Sequence, residues 1–249
     1  MSNIIIRGLS KTFSVTNGIE HAAINDLQLT IVPGSFNVIV GKSGCGKTTL
    51  LRIIAGLEKS DRGEIENLPP RKKCSLMFQS PRFLPWLTIW ENITFWEHGH
   101  FSPAEIAEAK EKAKSLLDTF GLTEWQSSFP GQLSGGMAQR ASLVRTLATS
   151  PQLLLLDEPF AAVDYFTRLR LQDEVMNLWK AQPESSPLTV IFVTHDIGEA
   201  SRLATHIHIM AQGCITATLQ NDAPYPRPLA ADRSRLESAI LSALNAVNQ

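Results

Sequence analysis

Alternation between hydrophobic and polar side chains predicts strands at several places along the chain. In residues 26–32, leucine and isoleucine alternate with polar residues, a period of two that is typical of a strand with one buried face. Three shorter runs, 36–40, 153–156 and 189–193, are almost continuously apolar. Continuous apolar strands are typical of a parallel sheet covered on both faces, so these runs predict an α/β core.

Helical spacing of apolar residues predicts helices between and after these strands. Ser102 and Glu105 form a capping box with Pro103 at the first helical position, and apolar residues follow at helical spacing as far as Gly121, which predicts a helix between these signals. Further helices are predicted at 49–55, 134–149, 167–181 and 236–247. We therefore predict one domain over 1–249, with an α/β core and β subdomain at about 1–81 and 151–225, a helical subdomain at about 82–150, and a C-terminal helix at 226–249.

Length and charge limit the functional classes. The 249 residues carry 23 Lys+Arg and 24 Asp+Glu, a formal net charge of −1, whereas a general nucleic-acid binder would carry a basic surface. No apolar run reaches the roughly 18 residues of a membrane-spanning helix, and the N-terminus does not resemble a secretory signal. The three cysteines, Cys45, Cys74 and Cys214, do not form a disulfide framework. These features predict a globular cytosolic protein that does not bind nucleic acid.

Residues 41–48 match the phosphate-binding pattern G-x-x-x-x-G-K-[ST]. The match follows a predicted strand and precedes a predicted helix, which is the context that such a loop requires. Lys47 would hold the β- and γ-phosphates, and the Thr48 hydroxyl would bind Mg²⁺. A glycine-rich turn without a ligand is the structural alternative. The residues predicted to contact nucleotide here are Gly41, Lys42, Ser43, Gly44, Cys45, Gly46, Lys47, Thr48 and Thr49.

An acidic pair follows the apolar run 153–156. Asp157 ends the predicted strand, where P-loop enzymes carry the acidic residue that supports Mg²⁺. Glu158 comes next and is placed to take a proton from an attacking water as a general base. A strand that ends in a solvated acidic turn is the alternative, but the phosphate-binding pattern in the same chain favours the catalytic interpretation.

A third motif narrows the class of nucleotide-binding protein. Residues 133–140, Leu-Ser-Gly-Gly-Met-Ala-Gln-Arg, resemble the LSGGQ signature of the ATP-binding-cassette (ABC) ATPases, and the resemblance covers nearly all of the chain. It implies a P-loop NTPase (RecA-like) core with an N-terminal antiparallel β subdomain and a helical insertion. It also implies that Ser134, Gly135 and Gly136 contact ATP held by the phosphate loop of a second subunit. Met137 stands where the family usually has Gln.

Further residues take their roles from this resemblance alone. Gln79 is similar to the glutamine that touches Mg²⁺ or the attacking water, and His195 to the switch histidine that contacts the γ-phosphate and orients Glu158. Phe13 resembles the aromatic residue that stacks on adenine. The segment 161–164 resembles the D-loop, although Ala161 lacks the usual hydroxyl. From the residues themselves, His195 is equally well explained as a helix cap and Phe13 as an ordinary strand aromatic.

The stretch 84–86, Leu-Pro-Trp, and the closing segment 224–228 resemble importer ATPases of the nitrate/sulfonate/taurine group. This resemblance implies a homodimer of ATPase subunits bound to integral membrane permease subunits, and indirectly to a solute-binding protein. ATP would be the substrate and Mg²⁺ the cofactor, at the cytoplasmic face of the inner membrane. Trp86 is predicted to contact the permease, with packing inside the helical insertion as the alternative. The alternative function is a soluble ABC-type ATPase of DNA repair or translation.

Two histidines attract attention without a matching motif. His206 and His208 lie on one face of a predicted strand, but no carboxylate or cysteine accompanies them at metal-ligand spacing. We expect a solvated strand face there and no metal site.

Overall fold

The computed structural model describes residues 2–15, 19–99, 101–183, 185–227 and 234–246. Its strands are β1 (Ile4–Val15), β2 (Ile19–Ile31), β3 (Phe36–Val40), β4 (Arg62–Glu66), β5 (Cys74–Met77), β6 (Leu153–Asp157), β7 (Thr189–Thr194), β8 (His206–Ala211) and β9 (Cys214–Gln220). Its α-helices are α1 (Lys47–Ile54), α2 (Ile89–Ile93), α3 (Pro103–Thr119), α4 (Gly135–Ala148), α5 (Tyr165–Lys180), α6 (Ile197–Leu203) and α7 (Ser234–Ala246). The chain divides into two compact units, the first formed by Met1–Leu68 with Thr189–Gln249 and the second by Pro69–Leu188.

The first unit contains an antiparallel sheet and a mostly parallel one. β1 pairs antiparallel with β2 on one side and with β4 on the other. β3 pairs in parallel with both β7 and β8, and β9 continues this sheet antiparallel to β8. Every residue of β3 and β7 is buried, which confirms the predicted parallel strands covered on both faces. Because β3 and β7 are parallel, the segments that follow them leave the sheet at the same edge.

The described residues of the second unit combine a parallel strand pair with four α-helices. β5 pairs in parallel with β6, and α2 and α3 both pack against α4. The predicted capping box begins α3: Glu105 N donates to Ser102 Oγ at 3.3 Å, and Ser102 N donates to Glu105 Oε2 at 2.8 Å. This reciprocal pair satisfies donors that would otherwise lack a partner at the helix start.

Several predicted bounds differ from the structure. β2 begins at Ile19 and not at 26, because its pairing with β1 extends over a longer stretch. α5 begins at Tyr165 and not at 167, since Asp164 Oδ1 accepts a hydrogen bond from Thr167 N at 3.1 Å and caps the helix.

The C-terminal helix is Ser234–Ala246, close to the 236–247 predicted from apolar spacing. The segment assigned to this helix began at 226, but residues 226–227 are not helical. Of the residues before it, 228–233 lie outside the described residues, as do 247–249 at its predicted end. Within the part of the chain that the structure describes, no helix has the length and apolar character needed to cross a membrane.

The expectation of a solvated face at the two histidines of β8 was wrong for His208, whose side chain is only 2% exposed. Its Nε2 lies 3.2 Å from Asn37 Oδ1, and its Nδ1 lies 3.0 Å from Thr218 Oγ1. Asn37 Nδ2 donates to Ser35 Oγ and Val190 O, so Asn37 Oδ1 is an acceptor and His208 Nε2 must donate. The neutral imidazole satisfies both contacts. Burial, with a smaller effect of the nearby His206, lowers the pKa of His208 to about 4.

This buried imidazole predicts a loss of stability in mild acid. The unfolded chain has a histidine pKa near 6.5, so between about pH 6.5 and pH 4 the unfolded state binds a proton that the folded state does not. The free energy of unfolding should therefore fall by about 2 kcal/mol between pH 7 and pH 5 from this residue. Urea unfolding of wild type and His208→Gln at pH 7 and pH 5 measures this fall, and the variant should lose less stability on acidification. The control is His21→Gln, at an exposed position, which should lose as much stability as wild type. Equal acid sensitivity of all three proteins would contradict the assignment.

Candidate active site

The predicted phosphate loop lies in the first unit, between the end of β3 and the start of α1. Gly44 and Gly46 have φ of 80° and 107°, in the left-handed region that favours glycine. A Cβ at Gly46 would overlap the carbonyl oxygen of Ala23, and a Cβ at Gly41 would overlap that of Met210. The backbone of the loop is thus packed against its surroundings too closely for side chains at these glycines.

Lys47 is the buried charge of this loop. The residue is only 5% exposed. Its Nζ donates hydrogen bonds to Gly41 O at 2.7 Å and to Lys42 O at 2.9 Å. Cys45 Sγ lies 3.9 Å from the same nitrogen. Among the described residues no carboxylate forms an ion pair with Lys47. A buried cation held only by dipoles is suited to an anionic ligand, and the loop also ends at a helix N-terminus, which favours negative charge.

Two other predicted residues lie in the first unit. Phe13 is half-buried on β1, opposite His21 of β2, and Lys11 Nζ lies 5.1 Å from the centroid of its ring. His195 is exposed and follows β7 directly, at the sheet edge where the phosphate loop follows β3. The residue after it, Asp196, caps α6, so the cap that the sequence alone allowed for His195 is made by its neighbour.

In the second unit the structure brings together two predicted catalytic residues. Gln79 Nε2 donates to Glu158 Oε2 at 3.2 Å. Glu158 has a φ of 45°, an uncommon left-handed conformation for this residue type. Asp157, the last residue of β6, is 4% exposed. The backbone turn at Glu158 thus separates a buried carboxylate from a half-buried one that is within reach of solvent.

A residue that the sequence analysis missed connects this pair to the signature helix. Gln139 on α4 is 1% exposed, and its Nε2 donates to the carbonyl oxygen of Gln79 at 3.5 Å. Its Oε1 is buried and has no hydrogen-bond partner in the described structure. No sequence signal singled it out, because Ser142 and Thr146 are further polar residues buried on the same helix.

The signature residues lie at the start of α4. Ser134 is exposed and caps the helix, with Met137 N donating to its Oγ at 3.3 Å. Because this bond uses the backbone of residue 137, the change from the usual Gln to Met leaves the cap intact. A Cβ on Gly136 would lie 3.6 Å from Ala162 O, so the segment resembling the D-loop packs against the helix start. The hydrogen bonds that cap α5 lower the pKa of Asp164.

A separate groove of about 520 Å³ lies in the second unit. Its walls combine basic and aromatic side chains: Arg71, Lys72, Arg82, Arg145, Phe78, Phe95, Trp96 and Phe101. Trp96 Nε1 is buried there without a hydrogen-bond partner among the described residues. No group of three or more His, Cys, Asp or Glu residues in the described ranges is arranged to hold a metal ion.

Comparison with known proteins shows which family the chain belongs to. A family model described as ABC transporter matches residues 24–161, which include the phosphate loop, the signature and the acidic pair. The chain belongs to the ABC transporter family. It is an ABC ATPase, and it has the α/β cassette fold that the resemblance implied.

The curated relatives of this ABC chain include two import ATP-binding proteins. Aliphatic sulfonates import ATP-binding protein SsuB 1 of Pseudomonas fluorescens is 41% identical over 206 residues, which cover 83% of this chain and 74% of that protein. Aliphatic sulfonates import ATP-binding protein SsuB of Bacillus cereus is 40% identical over 235 residues, covering 90% and 88%. A dimeric structure of MJ0796, a bacterial ABC transporter cassette, has a TM-score of 0.76 at 29% identity and covers 89% of this chain and all of that one.

Proposed function

We propose that this ABC ATPase energises the import of a small anionic solute, and that the solute is an aliphatic sulfonate. The relatives named above are sulfonate import subunits that match most of this chain. Their names favour import over the alternative of a soluble ATPase in DNA repair or translation. The observation that carries ATP use is the buried Lys47 ammonium, whose only partners among the described residues lie in its own loop.

In the first unit, the loop residues 41–49 would bind the phosphates of ATP, with Lys47 neutralising charge on the β- and γ-phosphates. Phe13 would stack on adenine through its ring face. His195 would contact the γ-phosphate, for which its exposed position at the sheet edge is suitable. Phe13 and His195 would thus contact opposite ends of the nucleotide.

In the second unit, Glu158 would accept a proton from the attacking water. Its hydrogen bond to Gln79 fixes the orientation of the carboxylate, and Gln139 holds the backbone of Gln79 in turn.

Each unit offers oxygen ligands, the type that Mg²⁺ prefers. In the second unit these are side-chain oxygens of Asp157 and Gln79, and in the first unit the hydroxyl of Thr48. When bound, Mg²⁺ would neutralise charge that develops on the phosphates.

Exposed surfaces and the relatives support two proposed partners, a second copy of this chain and a permease. A dimer like that of MJ0796 would let the exposed Ser134 and Gly135 and the half-buried Gly136 meet ATP bound to a second copy, because their N–H groups open a helix. The groove of the second unit would receive a cytoplasmic segment of the permease. Its basic residues and the unpartnered Trp96 Nε1 favour a segment with acidic or carbonyl acceptors.

Trp86 is 69% exposed and would also contact the permease. Asn92 fixes the loop that carries it, since Asn92 accepts a hydrogen bond from Leu84 N and donates one to Leu87 O.

We further propose peripheral attachment to the cytoplasmic face of the inner membrane through that permease. The solute itself would touch a solute-binding protein and the permease, and this chain would act only through ATP.

Deletion of the gene from its host tests the proposal. Growth with an alkanesulfonate as the sole sulfur source should stop, and plasmid-borne wild type should restore it whereas Glu158→Gln should not. Growth on sulfate is the control and should be unchanged. Normal growth on sulfonates with lost growth on nitrate would replace the proposed solute, and normal growth on both with sensitivity to DNA damage would favour the alternative function.

A further inference from the structure

A pocket of about 290 Å³ lies beside the phosphate loop in the first unit. One wall is the loop itself, from Lys42 to Cys45, and a second is the end of β8, from Met210 to Gln212. His21 of β2 closes one side. The remaining wall is Leu244 of α7. This residue lies outside all the nucleotide-binding motifs of the chain.

The helix that carries Leu244 is fixed against the first unit. Ile240 is fully buried, and Leu244 follows one helical turn later on the same face. Nearer its start, Glu237 Oε1 accepts a hydrogen bond from Ser201 Oγ at 2.8 Å, which ties α7 to α6. Leu244 is therefore held at the pocket by the packing and anchoring of its helix.

The pocket reaches from the phosphate loop to His21, which is the neighbour of the predicted adenine contact Phe13. His21 is paired directly with Phe13 between β2 and β1, and side chains that are directly opposite in an antiparallel pair lie on the same face of the sheet. A nucleotide with its phosphates on the loop and its base near Phe13 would run along this pocket.

We propose that Leu244 contacts the bound nucleotide, so that the C-terminal helix forms part of the ATP site. The inference rests on the proposed role of residues 41–49 as the phosphate site. An apolar side chain on this wall excludes water from one side of the phosphates and so strengthens their attraction to Lys47 and Lys42.

The test uses the sign of a charge placed at this position. In the full-length protein at low salt, Leu244→Glu should weaken ATP binding about tenfold by repelling the phosphates, whereas Leu244→Lys should bind ATP as tightly as wild type or more tightly. The difference between the two variants should shrink as salt is raised. Isothermal titration calorimetry measures both dissociation constants. Leu241→Glu and Leu241→Lys are the matched controls, because Leu241 lies on the same helix, is 48% exposed and does not line the pocket.

Weaker binding with Glu at 244 but not with Lys, together with unchanged binding in both variants at 241, supports the contact. Equal weakening by Glu and Lys would show that position 244 acts only through packing, and unchanged binding in both would place it outside the site; either result overturns the inference. If a charged variant does not fold, Leu244→Ala decides, since loss of an apolar contact should weaken ATP binding several-fold and unchanged binding would refute the contact.

Lys47→Met separates this inference from the proposed phosphate site. If it binds ATP like wild type, the phosphate site itself is wrong. If it loses binding while the Leu244 variants bind normally, only the role of Leu244 fails.

Discussion

Glu158→Gln should retain ATP binding and lose nearly all turnover. The amide has the size of the carboxylate, and its carbonyl oxygen can still accept the hydrogen bond that Gln79 Nε2 donates at 3.2 Å. It cannot accept a proton from water, and general base catalysis contributes typically 10²–10⁴-fold. We therefore expect kcat for ATP hydrolysis to fall by about 10³-fold while the dissociation constant for ATP changes little.

The measurement is steady-state phosphate release together with ATP binding by calorimetry. Glu124→Gln is a suitable control, because it removes an exposed carboxylate from the same unit and should leave both quantities unchanged. If the proposed dimer closes around ATP, light scattering should also detect an ATP-dependent dimer in Glu158→Gln that is transient in wild type. Near-normal turnover in the variant would exclude Glu158 as the base.

The elements that the sequence predicts best are those with local signals. β3 has the predicted bounds, and β6 and β7 extend the predicted runs by one residue each, because a continuous apolar run needs no information from elsewhere in the chain. The start of α3 follows in the same way from its capping box, since both bonding partners lie within one turn.

Elements that depend on distant partners were predicted less well. The sequence around His208 shows alternation, but its burial depends on β9, which pairs with β8 and supplies Thr218, and on Asn37 of β3. The early start of β2 likewise depends on β1. These contacts join residues far apart in sequence, so a local pattern carries no information about them.

The candidate site shows the same division. Motifs identified Gln79 and Glu158 separately, but the bond between their side chains depends on a left-handed turn at Glu158, a conformation that no pattern of residue types indicates for glutamate. Gln139 could not be found by motif, because its contribution is a contact with the backbone of Gln79.

Lys47→Met should abolish nucleotide binding without destabilising the nucleotide-free protein. Lys47 is 5% exposed, and burial of an ammonium group without a counter-charge costs several kcal/mol, which carbonyl oxygens offset only in part. Methionine fills a similar volume without the charge. The carbonyl oxygens of Gly41 and Lys42 lose their hydrogen-bond donor, which costs up to about 1–3 kcal/mol of stability for each one that water cannot reach. Lys42 is exposed, so water can reach its carbonyl group. We therefore expect a free energy of unfolding within about 1 kcal/mol of wild type, or higher.

Urea unfolding with and without ATP measures both effects. At an ATP concentration of about 100 times the dissociation constant, wild type should gain about 2.7 kcal/mol and Lys47→Met almost nothing. Lys59→Met, at an exposed position of the same unit, should keep the full gain. A nucleotide-free variant less stable by more than about 2 kcal/mol would mean that the bonds to Gly41 and Lys42 outweigh the desolvation of the ammonium. ATP binding and stability should change independently in Lys47→Met. A variant that is much less stable than wild type and still gains stability from ATP would contradict both the proposed binding role of Lys47 and the expected tolerance of the nucleotide-free protein.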